Sequence, residues 1–591
     1  MKLSSVLFCI FSLMGTSVYS LDLMSDTWNA TDGLGRSVPM NNRPVRSDRF
    51  VALFYFLWLG FETPDGPYDV SKILKANPNA MQEPDNPAWG PFAHYHHWGE
   101  PYFSYYRSSD QWVIRRHARM LGDAGVDVIF FDVTNNILYP ESFQALCQAF
   151  ADVRARGGVT PQVGFLAPFG DPTQVIKTLY ENIYKVNYHP ELWFRWEGKP
   201  LILANPDYFH QTPEILNFFT FRTDQPSYFV GPTRLDEWGW LEVFPQHVFK
   251  NSHNVAEQMT VGIGQNAVGN RLGAMSEVGA RGRSFHNNTI PSDPKLTPYG
   301  LNFQEQWDRA LAIDPELVFV TGWNEWIALR LNEFVSIKLP VIFVDEFNWE
   351  HSRDIEPCAG GADGGFPEGN SYQDAYYYQF VSNIRRYKGV RNVPTPTEPI
   401  TIRISQDFQQ WNTVGPSFLD HIGDVEHRDE PGYNAKTRYT DTTGRNDLVL
   451  VKVARDTDNV YFYARTNQSL TDPKNSSNWM LLFIDIDRNS RTGWEGFDFV
   501  INRRVNGSLT SIEKTSSSDW NWQSIGQVSF VTVNNELQFA IPRTLLGLSS
   551  TDSVKINFKW VDNLIKDGDI LSLLQNGDTA PNSRFSYVYN G

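Results

Sequence analysis

The feature that most restricts the fold is an alternation of short apolar runs with longer amphipathic stretches between about residues 45 and 390. Short runs of β-branched and aromatic residues are typical of strands, and the stretches between them have helical periodicity. Because several runs are apolar throughout, they suit strands that are covered on both faces. The pattern predicts an α/β fold, a (β/α)8 barrel of the TIM type. Its strands are expected at residues 51–58, 126–133, 162–167, 201–204, 218–221, 240–244 or 260–263, 317–323 and 341–344.

Five helices and one long loop complete the predicted barrel. Residues 61–107, rich in Pro, Gly, His and Trp, form a loop far longer than the roughly 2 to 6 residues usual between a strand and a helix. A loop in this position lies at the C-terminal ends of the strands, where barrel enzymes build their active sites. The helices are expected at residues 109–124, 140–156, 173–187, 303–313 and 371–387, the last closing the barrel.

The pattern changes at residues 393–400, where Pro recurs at every second or third position. Such a stretch is a stiff, extended linker. Beyond it, short strand patterns alternate with turn residues, which is typical of an antiparallel β-sandwich. We therefore expect a barrel domain at residues 21–392 and a β-sandwich domain at residues 401–591.

The first residues have the three regions of a secretory signal. Met1 and Lys2 precede a mostly apolar run over residues 3–14, and a stretch of small residues ends at Ser20. The run is too short to cross a bilayer. The sequence thus predicts a signal at residues 1–20 and a secreted, extracellular protein without membrane insertion. If the source is bacterial, the expected location is the periplasm or the cell surface. The remaining Cys147 and Cys358 are too few for a disulfide framework.

Charge and aromatic content indicate the class of partner. The net charge of −16, without a run of Lys or Arg, makes nucleic acid an unfavourable partner. Aromatic residues make up 14% of the chain, and flat ring faces commonly stack on sugars. We expect a monomer whose partner is an oligosaccharide or polysaccharide.

The most specific segment runs from Val318 to Trp326 and reads VFVTGWNEW. It places Glu325 after an apolar strand and between two indoles, where desolvation raises a carboxyl pKa and suits the group to acid or base catalysis. Its neighbours Trp323, Asn324 and Trp326 are expected to line the sugar subsite. A structural Glu paired with an Arg is the alternative interpretation.

A second candidate, Asp132, ends the strand pattern at residues 128–132, with Asn135 following in the loop. Side chains from the ends of different barrel strands meet at one mouth. Asp132 is therefore expected to be the second catalytic residue, as nucleophile, base or ligand for sugar hydroxyls, and Asn135 and Trp58 to bind substrate. The alternative is that Asp132 only caps the next helix or pairs with a cation.

The long loop concentrates His96, His97, Trp98 and Glu100 in the segment HYHHWGEP. A zinc site would need a Cys partner or the H-E-x-x-H arrangement, and the sequence has neither. Catalysis is therefore expected to need no cofactor. We expect these side chains to bind sugar hydroxyls, with Trp98 as a stacking platform.

Cleavage of a glycosidic bond normally uses one group that protonates the leaving oxygen and another that assists at the anomeric carbon. Asp345 and Glu346, after the predicted strand at residues 341–344, are expected near the substrate. Other acidic candidates for the second carboxylate are Asp236, Glu237 and Glu356, and the sequence does not choose among them.

Over residues 50–390 the chain resembles glycoside hydrolase family 99, the endo-α-mannosidases, and its wider relatives. The resemblance rests on residues 323–326 (WNEW), 354–357 (DIEP) and 54–58 (FYFLW). It implies a TIM barrel acting on carbohydrate, with Glu325 assisting at the sugar 2-hydroxyl. The family motif Asn-Glu-Trp-x-Glu places the general acid/base Glu where this chain has Ala328, and its Glu-Pro pair is found here at Glu356-Pro357.

The C-terminal region resembles a family 9 carbohydrate-binding module through residues 483–498 (FIDIDRNSRTGWEGFD) and 558–562 (FKWVD). Asp485, Asp487, Asn489 and Asp498 bring hard oxygen ligands into a short stretch, which suits a structural Ca²⁺ ion. An acidic turn without a metal is the alternative. The nearby indoles are either a sugar platform or core: Trp494, Trp520, Trp522 and Trp560.

These observations predict a secreted glycoside hydrolase that cleaves glycosidic bonds in a polysaccharide or glycoprotein glycan by carboxylate acid/base catalysis. Ala328 favours one alternative, a secreted glycan-binding protein without turnover on a degenerate barrel. A second alternative is a glycosyltransferase. Against it, the Asp-x-Asp patterns that bind metal in such enzymes occur only beyond the linker.

Overall fold

The computed structural model describes residues 21–40, 43–60, 66–360, 371–405, 407–434 and 436–591. The predicted signal at residues 1–20 lies outside the described residues. Within the described ranges, no helix combines the length and the apolarity needed to cross a membrane.

Eight parallel strands form a nearly closed, barrel-like sheet. Strands β1 to β6 pair in chain order, β7 pairs with β8, and β8 pairs with β1. Between β6 and β7 the Gln258 side chain bonds to Gly239 N at 3.1 Å and to Gly239 O at 2.7 Å. The strands are β1 (Phe50–Tyr55), β2 (Val128–Asp132), β3 (Gln162–Leu166), β4 (Lys199–Leu203), β5 (Thr220–Gln225), β6 (Glu237–Gly239), β7 (Ala256–Gly262) and β8 (Leu317–Thr321).

The barrel interior is filled mainly by aromatic side chains that the strands direct inward. Phe319 packs between Phe54 and Phe130, with ring centroids 6.5 and 5.2 Å away, and Trp238 contacts Phe130 from the far side. All four are buried. The centre of the barrel is thus filled by packed side chains.

One predicted barrel strand lies elsewhere. Residues 341–343 of the strand predicted at 341–344 belong to strand β10 (Ile337–Phe343), which forms an antiparallel hairpin with β9 (Ala328–Phe334). The apolar run at 341–344 resembles a barrel strand, yet the first half of β10 is exposed to solvent, as suits a hairpin outside the barrel. The barrel still has eight strands among the described residues. The two segments near residues 240 and 260, expected as alternatives for one strand, each form a strand, β6 and β7.

Helices cover the barrel where the periodicity predicted them. Helix α2 begins where Asp110 Oδ1 accepts a hydrogen bond from Val113 N at 3.0 Å. Helix α7 closes the barrel against α2 through a bond from the Tyr377 hydroxyl to Met120 O at 2.8 Å. The helices are α1 (Val70–Ala76), α2 (Gln111–Ala124), α3 (Pro140–Ala155), α4 (Thr173–Leu179), α5 (Pro213–Phe218), α6 (Leu301–Ile313) and α7 (Ala375–Lys388).

The C-terminal region is one continuous antiparallel sheet that curls on itself, rather than two separate sandwich sheets. Strand β17 spans both halves: its first part pairs with β16 and its last part with β18. Phe539 stacks on Trp560 across the interior, with centroids 5.5 Å apart. The strands are β11 (Phe418–Leu419), β12 (Leu448–Arg455), β13 (Asn459–Thr466), β14 (Leu481–Asp485), β15 (Phe499–Asn506), β16 (Leu509–Lys514), β17 (Gln523–Val533), β18 (Glu536–Pro542), β19 (Lys555–Asp562), β20 (Asp578–Ala580) and β21 (Tyr587–Asn590).

Buried ion pairs join the C-terminal region to the barrel. Arg428 Nη2 lies 2.8 Å from Asp110 Oδ2, at the start of α2, and both side chains are buried. Arg584 Nε lies 2.6 Å from Asp374 Oδ2 beside α7. The two regions thus share a tightly packed interface.

Candidate active site

A cavity of about 290 Å³ opens at the C-terminal ends of the barrel strands. Phe54 comes from β1, Asp132 ends β2, and Trp240 directly follows β6. Parallel strands bring these positions to one mouth. The lining residues are Phe54, Phe56, Trp58, Tyr95, Asp132, Thr134, Asn135, Phe169, Trp240, Glu325, Leu329, Asp345 and Arg353.

The cavity joins five of the residues predicted from the sequence. Glu325, Asp132 and Asp345 supply three carboxyl groups, and Trp58 and Asn135 complete the set. The indole nitrogens of Trp58 and of the neighbouring Trp240 are buried without a hydrogen-bond partner among the described residues. The cavity therefore combines carboxyl groups with flat ring faces.

Arg353 is the central contact of the acidic group. Its Nη2 lies 2.7 Å from Glu325 Oε2 and 2.7 Å from Asp345 Oδ1. Its Nε lies 3.2 Å from the same Glu325 oxygen, and its guanidinium lies over the Trp240 ring at 5.4 Å. Glu325 thus lines the cavity and is also paired with an arginine, as the alternative interpretation expected, while its catalytic role stays a prediction.

The electrostatics of the site favour protonated carboxyls. Burial raises the pKa of Glu325 well above its ordinary value, with Arg353 opposing and Asp345 adding to the rise. Burial also raises the pKa of Asp345, against Arg353. Because one guanidinium faces two carboxyl groups, the pair can hold a proton next to the cavity.

Asp132 lies in a different environment. Burial raises its pKa, and hydrogen bonds from Thr134 oppose the rise. Thr134 donates its N–H at 3.0 Å and its hydroxyl at 2.7 Å to one oxygen, Oδ1. This turn fixes the carboxyl at the end of β2.

Backbone contacts hold Glu325 in place. Its N–H donates to Asp354 Oδ1 at 2.7 Å. The preceding Asn324 is buried and bonds the Phe56 backbone on both sides, accepting from N at 2.8 Å and donating to O at 3.2 Å. Asn324 therefore ties the end of β1 to the end of β8 and does not line the cavity.

The two indoles of the WNEW segment also lie outside the cavity. Trp323 is fully buried and contacts His117 and Tyr377. Trp326 is fully buried and contacts Tyr105. Because successive side chains point to different sides where the strand ends, only Glu325 of this segment reaches the cavity.

Three of the predicted loop residues, His96, His97 and Trp98, do not line the cavity. His96 is buried, and its ring nitrogens contact His94 O at 2.9 Å and Trp89 O at 3.1 Å. Burial lowers the pKa of both His96 and His97 to about 4, so both rings are neutral near pH 7. Trp98 packs on Phe343 of β10.

Glu100 forms a short strand pair with Gly360, and among the described residues of this loop only Tyr95 lines the cavity. The loop thus contributes a ring to the wall of the cavity, and its predicted His and Glu side chains do not line it.

Two further acids are placed away from the cavity. Glu346 is buried and accepts a hydrogen bond from Asn348 Nδ2 at 2.6 Å, and burial raises its pKa to about 8. Glu356, the acid of the family-like Glu-Pro pair, is bound by Tyr106 at 2.8 Å and His117 at 3.1 Å. Of the acids left open by the sequence, Asp345 is the one next to Glu325.

Eight of the thirteen lining residues were missed by sequence reasoning, among them Phe169, Trp240 and Arg353. Phe169 and Trp240 follow β3 and β6, so their positions after strand ends were the available signal. Arg353 gave no such signal, because it follows the β9–β10 hairpin. Gly322 N donates to Arg353 O at 2.6 Å, which brings this segment back to the end of β8.

The predicted calcium ligands are partly brought together. Carboxylate oxygens of Asp485, Asp487 and Asp498 lie within 4.8 Å of one another, a spacing that fits one Ca²⁺ ion. Asn489 instead accepts a bond from Arg491 N at 3.2 Å.

The indoles of this region are largely core. Trp494, Trp522 and Trp560 are buried, and Trp520 is half-buried with its ring 4.5 Å from that of Trp494.

No protein-family model and no curated protein matches this chain. It is similar to the structure of the GH99 endo-α-mannosidase from Bacteroides thetaiotaomicron in complex with BIS-TRIS-propane, with 17% identity, a TM-score of 0.34, and coverage of 57% of this chain and 97% of the other. For a second structure of that protein the identity is 15%, the TM-score 0.35, and the coverage 58% and 98%.

Proposed function

We propose that this protein is a secreted glycoside hydrolase acting on an oligosaccharide or polysaccharide. The observation that carries the proposal is the grouping of Asp132, Glu325 and Asp345 with the rings of Trp58 and Trp240 in one cavity. Hydrolysis of a glycosidic bond needs carboxyl groups in complementary protonation states, and aromatic rings bind the sugar face. No cofactor enters this mechanism.

Glu325 is the proposed general acid. Burial raises its pKa, so it keeps a proton that can be given to the leaving oxygen. Asp132, on the strand β2, is the proposed group that assists at the anomeric carbon. Arg353 stabilises the negative charge left on Glu325 after proton transfer, since it already lies 2.7 Å from the carboxyl.

The C-terminal region is proposed to bind glycan and a structural Ca²⁺ ion at Asp485, Asp487 and Asp498. The spacing of their oxygens supports the ion. The half-buried Trp520 is the indole best placed to contact a sugar.

One observation favours a second candidate, a glycan-binding protein without turnover. Arg353 contacts Glu325 through two nitrogens, and this pairing stabilises the ionised carboxylate rather than the acid. In that case the cavity would bind sugar without cleaving it.

Glu325→Gln and Asp132→Asn separate the two candidates on a panel of oligosaccharides. For a hydrolase, each change lowers turnover at least ~100-fold while calorimetry shows binding retained. The matched control is Glu346→Gln, a buried acid outside the cavity, which should leave turnover unchanged. Sugar binding without cleavage by the wild type would favour the second candidate, and absence of both would contradict both.

A further inference from the structure

Three buried aspartates meet in the C-terminal region, far in sequence from the candidate active site. Asp420 and Asp424 follow β11, and Asp578 begins β20. One carboxylate oxygen from each lies within 4.8 Å of those of the other two. The exposed fractions are only 1%, 1% and 3%.

The cluster has unsatisfied oxygens. Both carboxylate oxygens of Asp420 and both of Asp424 are buried without a hydrogen-bond partner among the described residues. Asp578 accepts hydrogen bonds from the backbone N–H groups of Leu448 and Thr579. Buried carboxylates without partners are strongly unfavourable, so this arrangement requires a compensating ligand or protons.

The protein's own cations near the cluster have other partners. Arg119 Nη2 pairs with Glu426 at 3.0 Å, and Arg116 lies over the Trp112 ring at 4.8 Å. Lys559 donates to the backbone oxygens of Pro581 and Phe585, and burial lowers its pKa to about 7.

A fourth acid, Asp447, adds negative charge to the cluster, and both of its oxygens accept from Gly423 N. The protein therefore supplies four acids here and, in the described part of the chain, no hydrogen-bonded cation for Asp420 or Asp424.

We propose that Asp420, Asp424 and Asp578 bind a Ca²⁺ ion that is separate from the one predicted at residues 485–498. Ca²⁺ binds oxygen ligands at roughly 2.3–2.6 Å, so two ligands of one ion are up to about 5 Å apart, which agrees with the spacing of the cluster. Mg²⁺ usually keeps several waters, and zinc prefers nitrogen and sulfur ligands. A buried cluster whose side-chain ligands are all carboxylates therefore favours Ca²⁺.

The ion would order the segment by which the C-terminal region contacts the barrel. Between the two aspartates, His421 Nε2 lies 3.1 Å from Asp123 Oδ1 of α2. Gly423 O accepts from Arg119 at 3.1 Å and from Arg156 at 2.8 Å. A cation bound by both ends of this segment fixes its conformation and thereby the interface.

The test uses the full chain, dialysed against EGTA and then returned to millimolar CaCl₂ at mildly alkaline pH. Bound calcium is measured by atomic emission and the melting temperature by calorimetry. For the wild type we expect Ca²⁺ to raise the melting temperature by roughly 5 °C. Asp424→Asn should lose one bound ion and most of this shift. Asp487→Asn alters the other predicted site, so it should retain the shift in melting temperature that comes from the Asp420–Asp424–Asp578 site. Asp519→Asn, at an exposed position, should match the wild type.

The sign of the change in EGTA gives an independent check. Without Ca²⁺, Asp424→Asn removes one charge from a crowded acidic cluster, so its melting temperature should equal or exceed that of the wild type. In Ca²⁺ the order should reverse. If Asp424→Asn does not fold, Asp420→Asn is measured in the same way. Unchanged calcium content in the folded variant, no calcium bound by the wild type, or stabilisation by Mg²⁺ alone would overturn the proposal.

Discussion

Arg353 Nη2 lies 2.7 Å from Glu325 Oε2 and equally close to Asp345 Oδ1. One guanidinium thus contacts the buried carboxyl of Glu325 and the half-buried carboxyl of Asp345, which come from different segments of the chain. In the proposed hydrolase this contact has two functions: it keeps the acids together in the cavity, and it stabilises the carboxylate that remains after proton transfer.

The first prediction concerns the loss of this guanidinium. Arg353→Met leaves Glu325 and Asp345 facing each other, and removal of one partner from a buried ion pair costs roughly 3–5 kcal/mol. We expect a decrease of this size in the free energy of unfolding near pH 7, measured by urea denaturation. Near pH 4 a larger fraction of both carboxyls is protonated than near pH 7, so the decrease should be smaller. An equal loss at both pH values would contradict this role.

The second prediction is the pH dependence of cleavage. A general acid works in its protonated form, and the pKa of Glu325 is raised above 4.5. We therefore expect kcat/KM to fall as pH rises through this higher value, with the falling limb absent from the residual activity of Glu325→Gln. A falling limb that persists in Glu325→Gln would assign the proton to another group.

The third prediction uses Glu346, whose pKa is about 8 because of burial. A carboxyl with a raised pKa in the folded state binds its proton more tightly than in the unfolded state. It therefore destabilises the fold progressively as pH rises from 4.5 to about 8. Glutamine does not titrate. The melting temperature of Glu346→Gln, taken relative to that of the wild type, should therefore increase as pH rises across this window and stay constant above it. A difference that does not change with pH would contradict the assignment.

Parts of this architecture follow from local sequence, and parts do not. The strand ending in Asp132 and the strand before Glu325 were predictable, because apolar runs specify parallel strands and their C-terminal ends share one mouth. The direction of Trp326 was not, since it depends on how the chain turns after β8. Arg353 was unpredictable because a hairpin of residues 328–343 separates it from the strand it contacts.

The fourth prediction compares Trp58, which lines the cavity, with Trp326 of the WNEW segment, which is buried in the core. Trp58→Phe keeps an aromatic ring but removes the unpartnered Nε1 donor. A neutral hydrogen bond is worth about 0.5–1.5 kcal/mol, so KM should rise by up to about tenfold. Trp326→Phe, in the core, should lower the melting temperature and leave KM unchanged. If only Trp326→Phe changed KM, the substrate would bind elsewhere.

The last prediction concerns the ion pair of Asp110 and Arg428, which links the C-terminal region to the barrel. Asp110 caps α2 through Oδ1 and pairs with Arg428 through Oδ2, so one side chain links the helix that covers the barrel to the second region. Arg428→Met removes the only counter-charge in this pair and leaves the buried carboxylate uncompensated, at a cost of roughly 3–5 kcal/mol. Asp110→Asn keeps the cap acceptor and, combined with Arg428→Met, removes the charge as well. Calorimetry should therefore show a lower melting temperature for Arg428→Met and partial recovery in the double variant. No recovery would mean that the packing of Arg428, over the Trp112 ring at 5.1 Å, matters more than its charge.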